Sequence, residues 1–345
     1  RLIQFIGMYF ITVFFGHLPA LIRYFSINSK QLARYSYRRV LGQKDPIPYL
    51  HFRYCFFHLT IGLENIWKPI PNWQTELEKP LHIEPIKTGK DSIKDGLLAM
   101  GLGSDDWFVC LHSREGGFYN DTHDHRNSDI RTYFKAIETL VAAGAWVIRM
   151  GDASMTRLPK MDRVIDYPFT EFKSEAMDLF LLQNCRVFVG QNSGIMDVAY
   201  LFQKKCVLVN VTEWAIGFPR QQGSLAITKH FFQNGSKTPM PIKELLKMPF
   251  NAQELHQFSS GNYFQNNTPD EILEVVQESL ANHPSYNEMQ EEFIRQRNAQ
   301  IACWLKEPKL HSIAQEERIL KDRMASRGAG LRGTLGRKFL SDNWS

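Results

Sequence analysis

The sequence predicts an α/β protein: a parallel sheet flanked by helices, preceded by a more irregular N-terminal lobe. Three observations carry that expectation. At 345 residues the chain exceeds the usual size of one domain. From Trp107 to Val211, short apolar runs alternate with segments of helical period, the signature of parallel strands joined by crossover helices. The loops that follow those runs are polar and rich in small residues, as expected where ligands gather at the carboxyl ends of strands. The domain boundary falls at residue 100, with an N-terminal lobe over 1–100 on the acceptor side. A C-terminal lobe follows over 101–345, and its last helix is placed to pack back on the first lobe.

Composition sets outer limits. Hydrophobic residues make up 43% and charged residues 22% of the chain, which excludes a largely disordered protein. A formal charge of +5 favours anionic ligands without distinguishing among them. Lysines and arginines form no continuous basic stripe with interleaved aromatics, which argues against nucleic acid as a partner. The five cysteines, Cys55, Cys110, Cys185, Cys206 and Cys303, are scattered and form no C-x-x-C pair. That pattern predicts a reducing, cytoplasmic compartment and no zinc site.

Leu2 to Ile22 is strongly apolar and close to the roughly twenty residues a membrane span requires. Gly16, His17 and Pro19 interrupt it, so the expectation is a packed core element, with peripheral contact at the inner face of the membrane as the alternative. Pro46, Pro48, Pro69, Pro71 and Pro80 then punctuate the chain and oppose long regular elements. Asp91 to Met100 reads as an amphipathic helix with Ile93, Leu97 and Leu98 on one face.

Trp107 to Leu111 is a continuous apolar run and predicts a buried parallel strand. Asp129 to Ala143 has helical period, and Trp146 to Met150 is the next strand. Val164 to Tyr167 is a short strand, and Ser174 to Asn184 a helix with a serine cap. Arg186 to Gly190 is a strand, Ile195 to Phe202 a helix and Cys206 to Val211 a strand. Past Phe250 the pattern turns helical. Thr268-Pro269-Asp270-Glu271 is a capping box with proline at the first helical position, predicting a helix to Ala281. A second helix is expected from Tyr286 to Leu305, before a glycine- and arginine-containing tail.

The loop after Leu111 begins His112-Ser113-Arg114-Glu115-Gly116-Gly117 and runs on through Asp121, His123, Asp124 and His125. An arginine just beyond a parallel strand is placed to fork onto a diphosphate, and Gly116 with Gly117 lets backbone N–H groups approach an anion. His123-Asp124-His125, beside Asp121 and Asp129, is open to a metal reading. No second ligand cluster or Asp-x-Asp pair accompanies it, so the expectation is a loop network that supplies a general base, with no metal. Arg149-Met150-Gly151-Asp152 forms the next loop, where a strand arginine must serve a ligand or pair with Asp152 or Asp166. Gln191-Asn192-Ser193-Gly194 leads into a helix whose free N–H groups suit donor phosphates, or are simply capped by Asn192 or Ser193.

Phe108 to Asp129, Trp146 to Asp152, Asp166-Tyr167, Glu171 to Asp178 and Gly190 to Gly194 together resemble an uncharacterised bacterial glycosyltransferase family of the two-lobed GT-B type. The resemblance spans roughly Gly101 to Asn343. More distantly, His112-Ser113-Arg114 is similar to the His-x-Arg motif of fucosyltransferases with that fold, in which the arginine holds the nucleotide diphosphate. Arg114 matches that arginine and Ser193 the later serine-rich loop. Glu115-Gly116 departs from the pattern, which leaves the base and the sugar open.

The resemblance implies two Rossmann-like lobes and transfer of a sugar from a nucleotide-sugar donor to a glycan or other hydroxyl acceptor, in bacterial surface-glycan synthesis. Donor contacts are expected from His112, Arg114, Gly116, Gly117, Arg149, Gly151, Asp152, Asn192, Ser193 and Gly194, and the base from Asp121, His123, Asp124 or His125. No cofactor and no obligatory metal are expected. The alternatives are a nucleotide-sugar epimerase or hydrolase, or a non-catalytic nucleotide-binding scaffold, on the same fold.

Overall fold

The computed structural model describes residues 90–116, 124–212, 214, 218–247, 261–281, 285–306 and 331–345. These residues belong to one compact unit. The readings made for 1–89, the Leu2 to Ile22 segment among them, lie outside the described residues.

Helix α1 (Lys90–Ala99) packs on the sheet unit through buried Ile93 and through Gly96, which abuts Phe172 and Met177. Strand β1 (Phe108–Leu111) follows, its four side chains all buried. A 3-10 turn (Ile130–Tyr133) leads into α2 (Phe134–Ala142), then come β2 (Trp146–Arg149) and β3 (Val164–Asp166). The single helix expected from Asp129 begins in this tighter form because Asp129 Oδ1 accepts from the N–H of Arg131, two residues on. That local bond satisfies the first turn before α-helical spacing begins.

Helix α3 (Glu175–Asn184) starts where Ser174 accepts from the Met177 N–H. Strand β4 (Val187–Gly190), helix α4 (Gly194–Leu201) and strand β5 (Lys205–Val211) complete the alternation. Beyond it stand β6 (Leu225–Thr228), a two-stranded antiparallel ribbon of β7 (His230–Phe232) and β8 (Tyr263–Gln265), and the short α5 (Ile242–Leu245). Helix α6 (Pro269–Leu280) carries the predicted capping box: Thr268 N–H donates to Glu271 Oε2 at 2.8 Å and Glu271 N–H to Thr268 Oγ1 at 3.2 Å. The chain ends with α7 (Glu288–Lys306), β9 (Thr334–Leu335) and α8 (Arg337–Asn343), and α8 packs on α6 and α7.

Seven strands form one parallel sheet in the order β3-β2-β1-β4-β5-β6-β9. The chain winds outward from β1 to β3, crosses back to β4, and winds outward the other way. With right-handed crossovers, that reversal puts the two sets of helices on opposite faces. The sheet is buried on both sides, so its strands read as unbroken apolar runs such as Val207 to Val209. Each such buried Val, Leu or Ile contributes about 1.5–3 kcal/mol relative to an exposed one.

The reversal also fixes where a ligand can enter. The strand order reverses between β1 and β4, and in open α/β sheets ligands collect at the carboxyl ends of the strands at such a point. Among the described residues no helix is long and apolar enough to cross a membrane.

Candidate functional site

Two loops meet at this switch point. The loop after β1 leaves through His112, whose N–H still donates to Val189 O of β4 at 2.9 Å. Gly190 makes that approach possible: a Cβ there would lie 2.7 Å from the Phe188 ring and 3.1 Å from His112 O. The β1 loop is pinched at its base, where Ser128 N–H donates to Arg114 O at 3.0 Å.

Gln191, the first residue after β4, clasps both ends of that loop. Its Oε1 accepts from the Arg114 N–H at 2.6 Å and from Ser128 Oγ at 2.8 Å, and its Nε2 donates to Arg126 O at 3.3 Å. Ser128 also bonds Ser113 Oγ at 3.0 Å and Tyr133 OH at 3.1 Å. Burial pushes the Tyr133 phenol up to about 12, so it stays a neutral member of this network.

The cationic side chains converge on the same loops. Arg126 Nη2 donates to Asn192 O at 2.9 Å, while its Nε is buried without a partner. Lys229, the residue after β6, is 4% exposed and its Nζ donates to Asn127 O at 2.6 Å. Arg114 is half-buried at the mouth of the loop. Helix α4 begins at Gly194 with Ser193 as its cap in extended conformation, and the Ser193 hydroxyl turns back to Gln191 O at 3.2 Å. The Ser193 side chain makes no capping hydrogen bond to this helix, and the space beside Gly194 is open among the described residues. A helix start without a side-chain cap, next to the Arg126 guanidinium held on Asn192 O, is of the kind that suits an anion.

Other polar atoms here are buried and unpaired: His112 Nδ1, Asn127 Oδ1, and both Oδ1 and Nδ2 of Asn192. Buried polar atoms are nearly always hydrogen-bonded, so this group at the strand ends is available to a ligand or to ordered water. Burial, with the charge of Arg149, lowers His112 to about 4, so its imidazole is neutral at physiological pH.

Arg149 has a different place. It is fully buried, and its fork is spent inside the protein: Nη2 donates to Glu115 Oε1 at 2.7 Å, Nη1 to Asp166 Oδ1 at 2.9 Å and to Thr156 O at 2.8 Å. Glu115 Oε2 also accepts from the Thr156 N–H at 2.7 Å. The arginine therefore ties the loop after β1 to the loop after β2. Asp152, the other partner weighed for Arg149, instead accepts from the Ser154 N–H at 2.8 Å and orders its own turn. Gly151 has φ +147° and lies under Met155, whose Sδ would be 2.1 Å from any Cβ. These contacts hold Arg149, Gly151 and Asp152 within the frame of the loops after β1 and β2.

Of the remaining expected residues, Gly116 is exposed next to Asn127, and Gly117, Asp121 and His123 lie outside the described residues. Asp124 opens a 3-10 turn ending at Arg126, and its side chain also lies outside the description. His125 stands 6.4 Å from the Phe264 ring on the β7–β8 ribbon. Among the described residues no group of three or more His, Cys, Asp or Glu could hold a metal.

Gln191 stood in a loop the sequence singled out but was given no role of its own, nor were Arg126, Ser128 and Lys229. Lys229 could have been found only by reading the four-residue run Leu225 to Thr228 as a strand, which the expected elements did not include. Gln191 carried no signal, since its role comes from a loop more than sixty residues earlier in the chain.

No protein-family model and no curated protein matches the chain. Among solved structures, the chain is similar to E. coli ADP-heptose LPS heptosyltransferase II, with 13% identity and a TM-score of 0.35. The match covers 61% of this chain and 57% of that one, so the chain spans a little over half of that protein's length. Identity and score at this level leave it a similarity alone.

Proposed function

We propose that the chain is a glycosyltransferase that binds the diphosphate of a nucleotide-sugar donor at the β1/β4 switch point. One observation carries the reading: Arg126 donates to Asn192 O beside the uncapped start of α4, and Arg114 leaves β1 on the loop that Gln191 ties to the same place. Lys229 adds a further cation to the same loops. In the transfer, an acceptor hydroxyl oxygen bonds to the anomeric carbon as the bond from that carbon to the diphosphate breaks. Negative charge collects on the departing diphosphate, where the guanidinium groups and helix N–H donors meet it without reorganising. The acceptor's proton passes to a base on the 121–125 segment, where Asp121, His123, Asp124 and His125 are the candidates. Neutral His112 sits deeper, as a hydrogen-bonding partner for the donor. Charge on the leaving group is met by the protein's own cations, so donor binding requires no divalent ion.

A thermal-shift panel tests this reading. ADP, GDP, UDP, dTDP and CMP are each added with chelator and then with manganese. A ligand that binds only the folded protein raises its apparent stability, and at least one diphosphate should do so in chelator. If none shifts the transition under either condition, the reading fails. A shift that appears only with manganese overturns its metal-free part.

A further inference from the structure

Hydrogen-bonding capacity in the crevice says more than that an anion binds. Phosphate oxygens are acceptors, and they satisfy guanidinium groups, ammonium groups and helix N–H donors. They cannot satisfy a carbonyl oxygen. Yet Asn192 is only 7% exposed and its amide presents an unpaired acceptor as well as an unpaired donor, so reversing the amide leaves the count unchanged. Asn127 Oδ1, on the facing loop, is a second buried acceptor without a partner. The two residues are joined through the site's frame: Arg126 donates to Asn192 O, and the next residue, Asn127, is held at its own carbonyl by Lys229.

The unpaired Asn192 acceptor, with that of Asn127 beside it, suits a ligand that also brings donors. Groups attached to a phosphate that donate hydrogen bonds at short range are hydroxyls. We infer that Asn192, with Asn127 opposite, is a specificity-determining pair that reads hydroxyls of the glycosyl group carried by the diphosphate. The inference rests on the proposed function and deepens it. Arg114, Arg126 and α4 hold the phosphates, which every donor shares. The asparagines then separate a donor carrying its sugar from the spent nucleotide. A site of this kind discriminates strongly, because an analogue without the hydroxyl leaves the buried carbonyls unpaired.

Paired titrations separate a sugar reader from a phosphate ligand. ADP and ADP-glucose, GDP and GDP-mannose, and UDP and UDP-glucose are compared on the full chain by calorimetry. The same pairs are run on Asn192→Ala and Asn127→Ala, whose ligand-free melting is recorded alongside. Wild type should bind at least one conjugate more tightly than its bare diphosphate. Each variant should hold that diphosphate within roughly twofold of wild type and lose roughly fivefold or more on the conjugate, as expected for one net hydrogen bond. Asn127→Ala carries the test if Asn192→Ala does not fold. Equal losses on both members of a pair overturn the inference and make the asparagine a phosphate ligand. Unchanged affinities, or a wild type with no preference for any conjugate, also overturn it. A wild type that binds no diphosphate overturns the proposed function itself, and the inference with it.

Discussion

The backbone N–H of Arg114 donates to Oε1 of Gln191 across 2.6 Å, tying the residue that leaves β1 to the residue that leaves β4. Those loops belong to the two halves of the doubly wound sheet, and a single amide fixes their separation. Gln191 is 1% exposed, and Ser128 Oγ donates to the same oxygen. Gln191→Met keeps the length of the side chain and removes each of these bonds. It should weaken binding of the best nucleotide diphosphate roughly tenfold by unpinning Arg114 and Arg126. Hydrogen exchange at 112–116 and 124–128 should rise in the ligand-free protein. Unchanged exchange there would leave Gln191 without a positioning role.

The Arg114 side chain is expected to act on the ligand and not on the fold. Arg114→Lys keeps the charge but loses the planar fork, so nucleotide affinity should fall roughly tenfold or more. Arg114→Ala should lower it further and leave ligand-free melting nearly unchanged. If both variants melt early and then bind nucleotide normally, the arginine is architectural.

Arg149 should behave in the opposite way. Removing it as Arg149→Met strands the Glu115 and Asp166 carboxylates, half-buried beside an apolar side chain. Breaking such a buried pair costs about 3–5 kcal/mol, so thermal stability should drop steeply. Adding Glu115→Gln and Asp166→Asn should recover part of the loss. If Arg149→Met melts like wild type but loses nucleotide binding, the two arginines have been assigned in reverse.

His112 gives the site a pH signature. Its folded value is lowered to about 4 by burial and by Arg149, against about 6.5 in an unfolded chain. Between those values the unfolded chain binds a proton that the folded protein refuses, so stability falls as pH drops from about 6.5 toward 4. The loss is on the order of 3 kcal/mol at most, and it is absent above pH 7. Urea midpoints at pH 7 and pH 4.5 measure it, and His112→Gln should flatten the difference. An equal acid-side loss in that variant would place the effect elsewhere.

Strands β1, β2, β4 and β5 were legible because they lie inside the sheet, mostly buried on both faces, and therefore read as apolar runs. The α6 cap was legible because its four residues satisfy one another locally. Strand β6 is only Leu225 to Thr228, set among polar residues, and β9 is a pair inside a glycine-rich tail. β6 is paired on both sides and β9 lies at the sheet edge, but both are too short to show a period. Position along the chain placed Arg114, Asn192 and Ser193 just beyond strand ends, where the structure has them. Whether a strand-end arginine faces a ligand or a carboxylate is a question of partners. Glu115 and Asp166 answered it for Arg149, from two other segments of the chain.

The central claim is that a nucleotide diphosphate occupies the crevice between the β1 and β4 loops. Hydrogen exchange with and without the best-binding diphosphate, in chelator, tests it most directly. The account predicts that protection gained on binding concentrates at 112–116, 124–128 and 191–201, the last segment covering the start of α4. Protection confined to other elements, such as the β7–β8 ribbon or α6 to α8, with these three segments unchanged, would contradict it.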